Sequence, residues 1–255
     1  MRDPRQLVFP LLAAVALAWT LPLLPGCERK APSPADEQAA STRIAPHFVD
    51  SAPEHGEEFL RTPVEVVVNF DRPLSPGSRI EVTRKWREAA GGTTRLSEDR
   101  SSMRVSIAED LPGKYEVQYT ARWPDGSEDV GRFSFSVDRK LGREYEDMTG
   151  QAQVRVVLKD CAFQPPWIVV SRGTIVTWLN EDAEAHPVRS DPHASHDLLV
   201  GLDTGPLVPG AEASYLFDRL GEWPYHCPSR YPEMRGRVVV VEPPAESAPA
   251  TRAVP

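Results

Sequence analysis

The segment Tyr225-His226-Cys227-Pro228-Ser229-Arg230-Tyr231-Pro232-Glu233-Met234-Arg235-Gly236, preceded upstream by Ala185-His186-Pro187-Val188, decides how this chain is read. An aromatic strand runs into a proline-punctuated loop and leaves it through the valine run at 238–241. A thiolate, an imidazole and a thioether are thereby brought within reach of one another. Soft sulfur favours Cu(I), and imidazole tolerates both copper oxidation states, so the donor set points to copper. A trigonal site of the blue type takes two imidazoles, one thiolate and a weak axial thioether. This pattern supplies only one imidazole, His186, beside the thiolate Cys227 and the thioether Met234.

Working outward, short runs rich in Val, Ile, Trp and Tyr recur at 154–158, 175–179 and 238–241, separated by Gly, Pro and Asn/Asp. Such punctuation reads as the strands of a sandwich or barrel. No long period-3.6 segment competes beyond the N-terminal apolar run. Residues 46–138 form another strand-rich unit of single-domain size. Its runs at 64–70, 79–82, 103–107, 115–119 and 132–137 alternate as half-buried antiparallel strands do. Turns are expected at Pro76-Gly77, Gly91-Gly92, Pro112-Gly113 and Asp125-Gly126.

Residues 151–242 resemble the cupredoxin family of plastocyanin and amicyanin. The resemblance rests on the run from Val154 through Ala162-Phe163-Gln164-Pro165, Trp167-Ile168-Val169-Val170 and Gly173-Thr174-Ile175 to His186, on Leu202-Asp203-Thr204-Gly205-Pro206-Leu207, and on the Cys227 loop. It implies a Greek-key sandwich holding one copper per chain, with His186, Cys227 and an axial Met234 as ligands. Arg230 stands where that family has its second His. A one-residue shift of the loop puts Tyr231 there instead. Residues 46–138 resemble the periplasmic copper-resistance protein C family, through Pro46-His47-Phe48, Leu111-Pro112-Gly113-Lys114-Tyr115 and Pro124-Asp125-Gly126-Ser127. That family's Cu(II) site uses an N-terminal His and an Asp-Gly-His turn. Here His47 is internal and Ser127 replaces the turn's His, which leaves His47, His55 and Asp125 and implies a spacer or docking sandwich. The expected fold is therefore all-β, two β-sandwich domains in tandem, Ig-like and then cupredoxin.

Arg2 and Arg5 ahead of the apolar run 7–24 form a secretory signal. Leu24-Pro25-Gly26-Cys27 resembles a bacterial lipobox, with Cys27 as the lipidated residue that anchors the chain to a membrane. Glu28 after it implies the outer membrane, the protein facing the periplasm. Residues 28–45, rich in Pro, Ala, Ser and charge, read as a disordered tether, 139–150 as a linker and 243–255 as a disordered tail. The formal charge of −8 becomes one unit more negative once residues 1–27 are removed, which gives no case for nucleic-acid binding. Of three cysteines, Cys161 and Cys227 remain. A disulfide between them is the alternative to a thiolate ligand. Cys161 is otherwise expected as a buried free thiol.

The missing imidazole has one obvious source. Ser190-Asp191-Pro192-His193-Ala194-Ser195-His196-Asp197 carries two imidazoles on the loop after His186, so His193 or His196 is the expected donor. His226 adjoins Cys227 on a strand and is expected on the opposite face, a poor ligand for the same ion. A guanidinium at 230 cannot coordinate, and its fixed charge disfavours the higher oxidation state. No Ser/His/Asp set, carboxylate pair or Gly-rich phosphate loop stands at persuasive spacing, so the chain reads as a copper-binding module for electron transfer or copper handling rather than an enzyme. Its expected partner is a redox or copper-handling envelope protein. The competing readings are a metal-free interaction module and a copper redox enzyme with an open coordination position.

Overall fold

The computed structural model describes residues 45–140 and 145–243. Strands β1 (Phe48–Ala52), β2 (Glu58–Phe59), β3 (Glu65–Phe70), β4 (Arg79–Arg84), β5 (Arg87–Glu88), β6 (Arg95–Leu96), β7 (Ser102–Ser106), β8 (Gly113–Arg122) and β9 (Glu128–Val137) build the first sandwich. Its sheets run β1-β3-β7-β6 and β2-β9-β8-β4-β5. The second sandwich comprises β10 (Glu146–Asp147), β11 (Gln153–Lys159), β12 (Ala162–Gln164), β13 (Trp167–Ser171), β14 (Thr174–Asn180), β15 (His186–Ser190), β16 (Asp203–Leu207), β17 (Glu212–Phe217), β18 (Gly221–His226) and β19 (Arg235–Val241). Its sheets run β10-β13-β19-β18-β15-β16 and β12-β11-β14-β17. Parallel pairing of β10 with β13, of β11 with β14 and of β13 with β19, among otherwise antiparallel neighbours, makes it a mixed Greek key. The chain is thus all-β, two sandwiches in tandem, as its punctuated apolar runs predict. The signal, Cys27 and the tether lie outside the described residues.

Alternation places the cores. In the first sandwich Val66, Val68, Val82, Tyr115, Val117, Tyr119, Phe133 and Phe135 point inward between the sheets, with Phe59, Leu74 and Trp123. In the second, Val154, Val156, Leu158, Val176, Trp178, Trp223, Tyr225, Val238 and Val240 do the same. Tyr225 lies flat over its cross-strand partner Gly236, where an added Cβ would meet the ring at 2.3 Å. Only glycine admits that approach.

Two elements depart from simple alternation. β3 is buried along nearly its whole length, and β18 is too. The reason is a seam: Val67 and Ala52, on the outer face of the β1-β3 pair, join the apolar cluster of the second sandwich, with Val64 packed against it. The outer face of β18 also meets the first sandwich. Glu222, wholly buried, accepts the backbone N–H groups of Leu60 (2.8 Å) and Arg61 (2.9 Å), the Tyr145 hydroxyl (2.6 Å) and the Arg237 guanidinium (3.1 Å). Arg237 also donates to Glu57, and Arg235 spans Glu54 (3.0 Å), Glu57 (3.3 Å) and Asp191 (3.1 Å). Burial opposes the charge on Arg237, but the Glu57 and Glu222 carboxylates outweigh it and hold the guanidinium firmly protonated. The expected linker takes part: β10 pairs with β13, and Tyr145 reaches Glu222. The described residues of the two sandwiches accordingly cluster as one compact unit.

Removing one partner of a buried ion pair leaves the other charge uncompensated, at about 3–5 kcal/mol. Glu222→Ala strands Arg237 together with two backbone donors, so denaturant unfolding should show a loss of about that size. A loss below about 1 kcal/mol would show that the seam is not the structural tie it is taken to be.

Candidate metal centre

His186 opens β15 at the mouth of the second sandwich, and a buried asparagine sets its position. Asn180, at the end of β14, donates to the carbonyls of Glu184 (2.7 Å) and Leu207 (2.8 Å), and its own carbonyl accepts the Asp182 N–H (2.9 Å). That clamp folds the 181–185 loop back over the sheet edge. His186 ends 1 % exposed, with Nδ1 3.6 Å from Cys227 Sγ. Its Nε2 lies 3.1 Å from an Asp182 carboxylate oxygen, off the line of a hydrogen bond, and has no aligned partner. A carboxylate behind the distal nitrogen is the usual orienting device for a ligating imidazole.

The Cys227 loop closes on itself. Cys227 N–H donates to the Met234 carbonyl (3.0 Å), Arg230 N–H to the Cys227 carbonyl (3.0 Å) and Met234 N–H to the Arg230 carbonyl (2.9 Å). The result is a short 3-10 turn, Pro228–Arg230, with Cys227 fully buried and Met234 1 % exposed in one apolar cluster. Burial pushes the Cys227 thiol up from its ordinary value, opposed by the N–H groups of Ser229 and Arg230 and by the Arg230 charge. Two ligands about 2.0–2.3 Å from an ion at tetrahedral angles stand about 3.6 Å apart, the separation found between this sulfur and this nitrogen. The pair therefore fits a soft ion, and Met234 shares the apolar cluster of Cys227. No group of three among the described residues contains both; His186 groups instead with Asp182 and the exposed Cys161, their ligand atoms all within 4.8 Å of one another.

Arg230 does not take the missing ligand's place: it runs outward, 43 % exposed, to Glu184. Tyr231 does not take it either. Its hydroxyl donates to Glu54, and burial together with that carboxylate holds the phenol well above its usual range. Nor does the 190–197 loop bring in His193 or His196, contrary to expectation. Both group with His226, their ligand atoms all within 4.8 Å of one another. The reason is strand alternation: Cys227 follows His226 directly, so the core face of β18 carries the thiol and the seam face carries the imidazole. His226 is thus a neighbour of those two histidines rather than an isolated outward side chain, and the sequence reading missed that grouping. The available signal was the His-x-x-His spacing of 193 and 196 together with Asp191.

Cys161 is also not where it was expected. It sits exposed in the β11–β12 turn, where Asp160 and Cys161 both adopt φ of 55°. Its N–H and that of Asp160 donate to Asp182. Cys161 and Cys227 are both free thiols.

In the first sandwich, His47 Nδ1 meets Asp71 (2.8 Å), and Arg72 stands between His47 Nε2 (3.3 Å) and Asp125 (3.1 Å), over the Trp123 ring. A guanidinium wedged between the two candidate donors does not fit a cation there. His55 Nδ1 lies 3.3 Å from Ser134 N, apart from that pair.

Residues 48–138 match the family model of the CopC domain. Among solved structures, the chain is similar to CopC from Methylosinus trichosporium OB3b (20% identity, 37% of this chain and 94% of that one, TM-score 0.34). It is also similar to PcoC, a methionine-rich copper resistance protein from Escherichia coli (20% identity, 37% and 100%, TM-score 0.31). An amicyanin variant in its oxidised state is 27% identical over 35% of this chain and 83% of its own, TM-score 0.30. No curated relative matches the chain. The chain thus joins a sandwich that matches the CopC domain over residues 48–138 to a second, mixed Greek-key sandwich.

Proposed function

We propose that this chain is an envelope copper-handling lipoprotein, not an enzyme, whose second sandwich holds one copper ion at Cys227, His186 and Met234. The observation that carries this reading is the 3.6 Å approach of a buried thiol to a buried imidazole at the base of a closed loop. When bound, copper supplies one-electron redox chemistry or is itself the cargo. The protein's part is to keep the site dry, to orient His186 through Asp182 and to neutralise the thiolate with two N–H groups and a nearby guanidinium. Two sulfurs and one nitrogen favour Cu(I) over Cu(II). The CopC match in the first sandwich supports a copper-handling setting. With a guanidinium between its own donors, that sandwich serves as a scaffold rather than a second copper carrier. The partner is a redox or copper-handling protein of the envelope, and Cys27 carries the lipid that holds the chain at the membrane, facing the periplasm.

Competition with a Cu(I) chelator should show one tightly held ion per chain. Cys227→Ser should abolish it, because a serine oxygen is a poor substitute for a soft thiolate, and Cys161→Ser should leave it intact. Equal, tight binding by wild type and Cys227→Ser would remove the assignment. Arg230→His restores an imidazole at the family's ligand position. After Cu(II) loading that variant should gain an intense visible thiolate-to-copper absorption, whereas the wild type should stay nearly colourless. An equally coloured wild type would show that the second imidazole is not missing.

The anchor is tested separately. Cys27→Ala should move the protein from the detergent phase to the aqueous phase. Wild-type protein that extracts fully into buffer alone would contradict lipidation.

A further inference from the structure

Three of the chain's six histidines, His193, His196 and His226, meet on the seam side of β18, and the proposed copper site uses none of them. We propose that they form a second, thiolate-free site for a divalent transition ion of the Cu(II) or Zn(II) class. Asp191, buried beside His226, lies 2.5 Å from His226 Nδ1, and an ionised carboxylate can only accept, so that nitrogen carries the proton. His226 Nε2 is left with a bare lone pair. His196 Nδ1 lies 3.2 Å from the Ser190 carbonyl, which again can only accept, and this leaves His196 Nε2 bare as well. The third ring, His193, points Nδ1 at His226 Nε2 from 3.0 Å. In the metal-free protein that contact is held by one hydrogen shared between two nitrogens. An ion takes its place when His193 carries its proton on the outer nitrogen instead, a tautomer change that needs no net proton release.

The surroundings supply the rest of a metal site. A ligating histidine typically donates its other ring N–H to a carboxylate or carbonyl, as His226 and His196 both do. Asp191 is in turn held by Arg235 at 3.1 Å. Tyr231 stacks on His193, with centroids 4.4 Å apart and planes at 10°, which fixes that ring. His196 adopts φ of 53°, a left-handed conformation uncommon for a residue with a side chain, and its N–H donates to the Pro192 carbonyl (2.8 Å). Strain of this kind persists where neighbouring structure enforces it. Here the enforcement comes from the first sandwich: Asp50 accepts the Ala194 N–H (2.7 Å), Asn69 donates to Ser195 (3.2 Å) and Arg104 pairs with Asp197. The loop carrying two of the three ligands is therefore held by one sandwich, and the strand carrying the third belongs to the other.

Three neutral imidazoles without sulfur suit Cu(II) and Zn(II), with Cu(II) the tighter by the usual order of divalent ions. This site shares no ligand with Cys227, so it stands or falls independently of the copper reading above.

The test is titration of the full chain with Cu(II), followed by electron paramagnetic resonance, and with Zn(II), followed by calorimetry. Wild type, Cys227→Ser, His193→Ala and His196→Ala are compared. Cys227→Ser should retain one Cu(II) with nitrogen superhyperfine structure and no intense thiolate absorption. His193→Ala and His196→Ala, at part-exposed positions, should each weaken Cu(II) and Zn(II) by at least about tenfold while leaving Cu(I) binding unchanged. Thermal unfolding without metal checks that both variants stay folded. Unfolding with Zn(II) present should show stabilisation in wild type only. Cu(II) and Zn(II) affinities unaltered by either folded variant would overturn the proposal, as would loss of all divalent binding in Cys227→Ser.

Discussion

Arg235 and Arg237, one turn of the pleat apart on β19, hold carboxylates drawn from both sandwiches. Arg237 is met by Glu57 of the first and Glu222 of the second, and Arg235 by Glu54 and Glu57 of the first and Asp191 of the second. None of these groups is free to leave without stranding another in a poorly solvated place. Two sandwiches that touched only through apolar side chains could slide. Two joined by charge pairs with fixed forks and fixed backbone donors have one relative placement, because guanidinium geometry is directional and an unpaired buried charge is costly. The loop from Pro192 to Asp197 depends on that placement, since Asp50, Asn69 and Arg104 hold it from across the seam.

β18 turns this arrangement into two chemistries. Its side chains alternate, and both of its faces are covered. Trp223, Tyr225 and then Cys227 enter the core of the second sandwich, whereas Glu222 and His226 face the seam. One strand thus delivers a thiol into a dry apolar pocket and, one residue earlier, an imidazole into a polar, charge-paired pocket. The first surrounding suits a soft monovalent ion and the second a harder divalent one. Arg235 ties them to the fold, since it pairs with the Asp191 that orients His226 and begins the strand that closes the Cys227 loop.

The strands and the thiolate loop were legible because β-branched alternation and Gly/Pro punctuation are local signals. The Val154, Ile175 and Val238 runs are core strands for the reasons their patterns give. The seam was not legible. Glu222, Arg235 and Arg237 sit at outward positions of β18 and β19, and outward charged residues read as solvated until another surface is laid on them. His226 was placed on the correct face and then set aside, because a side chain there points away from the ion expected at Cys227. Cys161 was read as a core residue because the cupredoxin resemblance puts an ordinary core side chain on that early strand. The tight β11–β12 turn, with two successive left-handed residues, instead puts it outside. His193 and His196 carried the right chemistry but were assigned to the wrong pocket, since sequence does not say across which face of β18 their loop folds.

One strand, β18, keeps the two proposed donor sets apart. Anomalous diffraction at the copper edge, from crystals of the full chain loaded with copper, tests this most directly. Two separate peaks are predicted, one between Cys227 and His186 and one among His193, His196 and His226. A single ion bridging Cys227 to either His193 or His196, or density at neither place, would contradict it.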